Sequence, residues 1–172
     1  AAAQKYYQEA VRIRKKLVEA NQQSSGLKGR LAGAYYRLGS ACLLNDQSAS
    51  AYEHFTRSLE LREPIAAAAS KSLPAQVPYM LVLARCGRHG DAAKIADQLG
   101  SQRPPSRDWL YNAACGYALC LAALKHPEAA PPPGPQTSAL ENQYRTLALQ
   151  RLREAIQLGW KDAVEMECNP EL

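Results

Sequence analysis

The sequence predicts an all-α fold built as an array of antiparallel helix pairs, an α-solenoid. Two observations carry that expectation: a composition suited to helix, and a stretch of sequence that repeats itself. The chain has 172 residues, 47% of them apolar, enough to bury a core and to build roughly three to four helical hairpins. One Phe stands against nine Tyr, and Ala, Leu and Arg are abundant. Ala and straight-chain residues lose little freedom in a helix, so this balance favours helix over strand. The segment from Tyr7 to Leu17 aligns without a gap onto Phe55 to Ile65, pairing every apolar position. In that register Ala3 pairs with Ala51, Tyr7 with Phe55, Ala10 with Ser58 and Arg14 with Arg62, each 48 residues apart.

The elements follow in chain order. Residues 1–22 read as the second helix of a truncated repeat. Residues 30–65 read as a full repeat, carried by Tyr35, Leu38, Gly39, Cys42, Ala51, Phe55 and a closing Pro64. Gly39 and Ala51 let two antiparallel helices approach where they cross, and Tyr35, Leu38 and Phe55 fill the space around the crossing. Residues 73–103 form a weaker repeat, with Met80 and Leu83 on the first helix, Gly87 in the turn, and Ala92, Ala96 and Leu99 on the second. Pro74 and Pro78 predict that its first helix begins late, near Val77. Gly90 and Asp91 start its second helix, and Pro104 and Pro105 end the unit.

Residues 106–159 form a third repeat. Ser106 is its expected N-cap, Asp108 suits the positive first turn, and Trp109, Tyr111, Ala114, Tyr117 and Leu121 follow at helical spacing. A proline-rich insertion at 127–138 interrupts it, since successive prolines lack donors and clash with a preceding helical turn. Ser138 and Glu141 have capping-box spacing for the helix that resumes, Ala148, Leu152 and Ala155 repeat the small/large/small spacing, and Gly159 closes it. Residues 160–172 are expected to fold back as a capping tail, with Trp160, Val164 and Met166 covering the last apolar face. A chain that starts on a second helix and stops soon after a third hairpin reads as a piece of a longer array whose parent continues upstream.

The spacing from Tyr35 to Pro64 resembles the tetratricopeptide (TPR) repeat. A narrower resemblance is to the TPR arrays that follow the kinase domain in many bacterial serine/threonine kinases, notably planctomycete ones. It rests on Ser58 to Glu63, on Leu110 to Leu119, on Ala155 to Asp162 and on Asn169 to Leu172. The resemblance implies a right-handed superhelix in which the first helices of successive repeats line a concave groove that receives a protein or peptide. Carried over position by position, the groove candidates are Tyr36, Arg37 and Ser40 in the first unit, Leu81 and Arg85 in the second, and Tyr111, Asn112 and Cys115 in the third. Arg37, Arg85 and Asn112 have the chemistry to hold a peptide backbone or carboxylate. For each Arg a solvated surface charge is an equal reading, and Asn112, inside an apolar run, implies some specific hydrogen bond. Chaperone-type carboxylate clamps carry Lys and Asn where this chain has Tyr36 and Ser40, which argues against a C-terminal carboxylate ligand there.

Other function classes are disfavoured. No glycine-rich phosphate loop, HExxH, GxSxG or kinase catalytic-loop signature occurs, so the segment is read as non-enzymatic, without catalytic residues or cofactor. Cys42, Cys86, Cys115, Cys120 and Cys168 are odd in number, lack CxxC spacing and sit among apolar residues, so they read as reduced core thiols; His54, His89 and His126 have no metal-ligand spacing. No run of about 18 apolar residues and no secretory leader is evident, so the chain reads as cytoplasmic, with no membrane partner. The net charge of +5 is local: residues 1–30 hold seven Lys/Arg against Glu9 and Glu19, and the remainder carries fourteen of each sign. Arg12, Arg14, Lys15 and Lys16 crowd one helix end, where a solvated face outweighs nucleic-acid binding because no aromatic residues interleave. The leading expectation is a protein-binding scaffold; the alternatives are a structural spacer or self-association domain, with the proline-rich insertion as a polyproline II ligand for another domain, a role less common for such segments than that of semi-rigid spacer, and after these a nucleic-acid-binding basic helix.

Overall fold

A computed structural model describes residues 2–124 and 135–160 of the chain. Every regular element among them is an α-helix: α1 (Ala2–Ala20), α2 (Ser25–Leu43), α3 (Ser48–Ala68), α4 (Leu73–Arg85), α5 (His89–Gly100), α6 (Arg107–Ala123) and α7 (Pro135–Gln157). They fall into two compact units, Ala1–Val82 and Leu83–Leu172, with the boundary inside α4.

In the first unit α1 runs antiparallel to α2, and α2 to α3. Gln4 near the start of α1 donates to Gln47 just past the end of α2 at 2.7 Å, and Arg14 donates to the Arg30 carbonyl near the start of α2 at 2.8 Å. The α2/α3 crossing is close because its residues are small. Ala32 and Ala51 are fully buried, and Gly39 lies against the Phe55 ring. The Ser58 hydroxyl, also fully buried, donates to the Ala32 carbonyl at 2.8 Å and is satisfied there. Ser24 caps α2 with its hydroxyl accepting from the Leu27 N–H. After α2 the chain reverses through Asp46 at φ 56°, with Gln47 N–H on the Cys42 carbonyl and Asp46 N–H on the Leu43 carbonyl, the paired bonds of a Schellman turn.

The second unit uses the same turn twice. Gly87, at φ 77°, closes α4 with Arg88 N–H on Leu83 O and Gly87 N–H on Ala84 O. Gly159, at φ 85°, closes α7 with Trp160 N–H on Ala155 O and Gly159 N–H on Ile156 O. Helix α6 packs between α5 and α7. Tyr117 on α6 is fully buried and donates a short hydrogen bond to Asp97 on α5, while His89 Nδ1 and the Tyr144 hydroxyl of α7 share a hydrogen bond at 3.0 Å. Leu110, Ala155 and Trp160 form an apolar cluster with Tyr111 stacked on Trp160, ring centroids 4.2 Å apart.

Three expectations about helix ends are corrected, all at prolines. Pro64 does not close a helix: α3 continues to Ala68. The side chain of Pro64 is exposed, so the Glu60 carbonyl that loses its helical donor can bond to water. Helix α4 begins at Leu73, four residues before Val77, since Pro74 in the first turn removes only an N–H that has no intrahelical partner and Pro78 then costs a single ladder bond. Helix α7 begins at Pro135, so residues 135–138 of the expected insertion are helical and Ser138 stands inside the helix instead of capping it. Pro at the first helical position has the right φ and forfeits no bond. The rest of the insertion, 127–134, and the tail 161–172 with Val164, Met166 and Cys168 lie outside the described residues.

Candidate partner-binding face

The first predicted set occupies one face of α2. Tyr36 and Ser40 are one turn apart, with Arg37 exposed beside them. The Tyr36 ring packs at a tilt on Phe55, centroids 5.5 Å apart, which fixes the ring and carries its hydroxyl into a site with no hydrogen-bond partner among the described residues. The Ser40 hydroxyl is likewise buried and unpaired. One turn before Tyr36, Gly33 leaves room for Arg62 of α3, whose Nη2 would sit 3.6 Å from a Cβ at that position. Burial pushes the Arg62 pKa down, and its Nε has no partner. Gly33, Tyr36 and Ser40 are thus a stripe at helical spacing that combines two hydroxyls with a guanidinium from the next helix.

The second and third sets are less open. Leu81 and Arg85 are partly buried on α4, and burial lowers the Arg85 pKa to about 10. The guanidinium is still charged at neutral pH. In the third set Tyr111 is stacked on Trp160, and the Asn112 side chain donates to the Asp108 carbonyl one turn back at 2.8 Å, the specific bond expected of it and a local one. Cys115 is 2% exposed and belongs to the core of the second unit; burial lifts its thiol to about 11. A buried, protonated thiol packs as a small apolar group and offers a partner nothing to grip.

Sequence reasoning missed Arg62 and Gly33. A signal was available in the 48-residue register, where Arg62 pairs with Arg14, and Arg14 reaches across to the neighbouring helix. Of the basic cluster on α1, Arg12 is tied to Glu9 and Arg14 to the Arg30 carbonyl. Cys42, Cys115 and Cys120 are buried and form no disulfide among the described residues. Among the described residues no group of three or more His, Cys, Asp or Glu converges in metal-binding fashion, and no helix is long and apolar enough to cross a membrane.

Compared with protein-family models, with curated proteins and with solved structures, the chain has no significant match in any of the three.

Proposed function

We propose that the chain is a TPR-type α-solenoid that binds a protein or peptide partner along the face of α2, and that it serves as the non-catalytic region of a larger signalling protein such as a serine/threonine kinase. The observation that carries the binding reading is the pair of unpartnered hydroxyls at Tyr36 and Ser40. A buried hydroxyl without a hydrogen bond costs about 1–3 kcal/mol, a cost Phe and Ala would avoid. Two such costs one turn apart, beside exposed Arg37 and the Arg62 guanidinium, fit a face that meets acceptors on a partner. Both oxygens are covered in the chain alone, so backbone carbonyls or a carboxylate of the bound segment reach them as the side chains over them shift.

The solenoid reading is supported by repetition inside the chain. Asp46 and Gly87 make the same left-handed turn 41 residues apart, and in that register fully buried Ala51 matches fully buried Ala92. The kinase context rests on sequence resemblance alone.

A second reading, self-association, is favoured by α1. Tyr6, Ile13 and Leu17 are 72%, 48% and 48% exposed and fall on one helical stripe. Sedimentation equilibrium of the wild type and of Ile13→Glu separates the two: a dimer abolished by the substitution supports self-association.

The binding reading is tested by capture from the native lysate with the wild type and with a Tyr36→Phe/Arg37→Ala/Ser40→Ala variant shown to be folded. Loss of a specific partner supports it, whereas retention of every partner by the variant refutes it.

A further inference from the structure

A cleft of about 280 Å³ opens in the second unit, between the end of α5, the loop before α6 and the last turns of α7. Its polar wall is Arg151, Glu154 and Gln157 of α7 with Arg103 of the loop; its apolar wall is Pro105, Leu110 and Leu158. Arg151 is seated where α5 lacks a side chain: a Cβ at Gly100 would lie 2.7 Å from its Nε. Among the described residues Arg151 engages Glu154 through Nη1 at 2.8 Å, and its buried Nε has no partner. Arg103 is exposed and uses one nitrogen on the Gln102 carbonyl. Glu154 is already satisfied, since its other oxygen accepts from Gln150 at 2.9 Å.

The chemistry selects the ligand class. Two guanidinium groups against one carboxylate leave a single positive charge, which matches a monoanion, while Glu154 repels a dianion. The apolar wall favours a ligand that is half hydrocarbon. The volume falls just under the roughly 300–1,000 Å³ of sites for drug-sized molecules, so it suits one residue and its carboxylate. We propose that this cleft binds the C-terminal residue of a peptide ending in a branched aliphatic side chain, the carboxylate on Arg151 and Arg103 and the side chain against Pro105, Leu110 and Leu158.

Heteronuclear NMR titration of the full chain tests this with acetyl-Gly-Leu as the free acid, its C-terminal amide, and inorganic phosphate. The free acid is expected to shift the amides around Gly100, Leu110 and Leu158, with the amide form binding at least tenfold more weakly, as loss of a charge-assisted pair implies. Arg103→Gln, at an exposed position, weakens the acid several-fold without changing the fold, and Glu154→Gln admits phosphate. Equal binding of acid and amide, phosphate binding by the wild type as tight as that of the acid, or no shift at these residues with any probe overturns the proposal. Tighter binding of acetyl-leucine than of acetyl-Gly-Leu also overturns it, by identifying a free small acid as the ligand. The α2 face takes no part, so either result leaves the reading of Tyr36 and Ser40 untouched.

Discussion

Gly39 and Phe55 are in contact because one of them has no side chain: a Cβ on Gly39 would lie 2.7 Å from Phe55 Cε1 and 2.9 Å from Cδ1. The ring is 2% exposed and packs on the Tyr36 ring, so it has little room to retreat. Gly39→Ala therefore gains helix propensity but overpacks the α2/α3 crossing. Overpacking of this kind costs about 1–3 kcal/mol and outweighs the ~1 kcal/mol that Ala contributes over Gly in a helix. Urea denaturation should give a net loss of about 1 kcal/mol; a gain in stability would mean that the crossing is looser than described.

The Tyr36 and Ser40 hydroxyls make the opposite prediction. Tyr36→Phe and Ser40→Ala each remove a buried polar atom that has no partner, and Ala is also the better helix former at position 40. Each variant is expected to be more stable than the wild type by about 1 kcal/mol, read from the midpoint of thermal or urea unfolding. Ser58→Ala is the control with the opposite sign: its hydroxyl is bonded to the Ala32 carbonyl, and removing it should cost about 1 kcal/mol. If all three substitutions destabilise equally, the α2 hydroxyls are satisfied and the argument for a face open to a partner fails.

Stability should fall at alkaline pH. Burial raises the Cys115 thiol to about 11, and burial together with the Asp97 charge raises Cys120 to about 12, whereas thiols of the unfolded chain titrate near 8.5. Between these limits the native state holds more protons than the unfolded state, so the stabilisation is complete below about pH 8.5 and is lost as pH rises toward 11 and 12. The expected slope is on the order of 1 kcal/mol per pH unit for each thiol. Unfolding midpoints from pH 7 to 10.5 measure it, and Cys115→Ala with Cys120→Ala should flatten the curve even if both lower its height. An unchanged slope in the double variant would place the alkaline transition on other groups.

The fold class was legible in the sequence because helical periodicity and small-residue spacing act locally. Gly39, Ala51 and Phe55 meet where the repeat spacing puts them, and Gly87 and Gly159 take the left-handed conformations that end helices. Prolines were misread because their effect depends on where water stands. Pro64 is tolerated on an exposed face, and Pro74 and Pro135 sit in first turns where the missing N–H has no helical partner. Helical spacing puts Tyr36 and Ser40 on one face of α2 but does not show that both hydroxyls are buried without a bond. Periodicity placed Tyr111 and Cys115 on one face of a helix, but it could not show that Trp160, 49 residues from Tyr111, would stack there. The guanidinium of Arg62 over Gly33 and that of Arg151 over Gly100 are contacts between helices, set by which helix is neighbour to which.

The central claim, that α2 presents the partner-binding face, is tested most directly by amide hydrogen exchange of the chain alone and in complex with the partner it captures. Exchange at the solvent-facing backbone of a helix slows where a bound segment excludes water and damps local opening. The account predicts added protection in residues 31–43, spreading to the Arg62 turn of α3, with α1 unchanged. Protection confined to α1, or to α7 with none in α2, would contradict it.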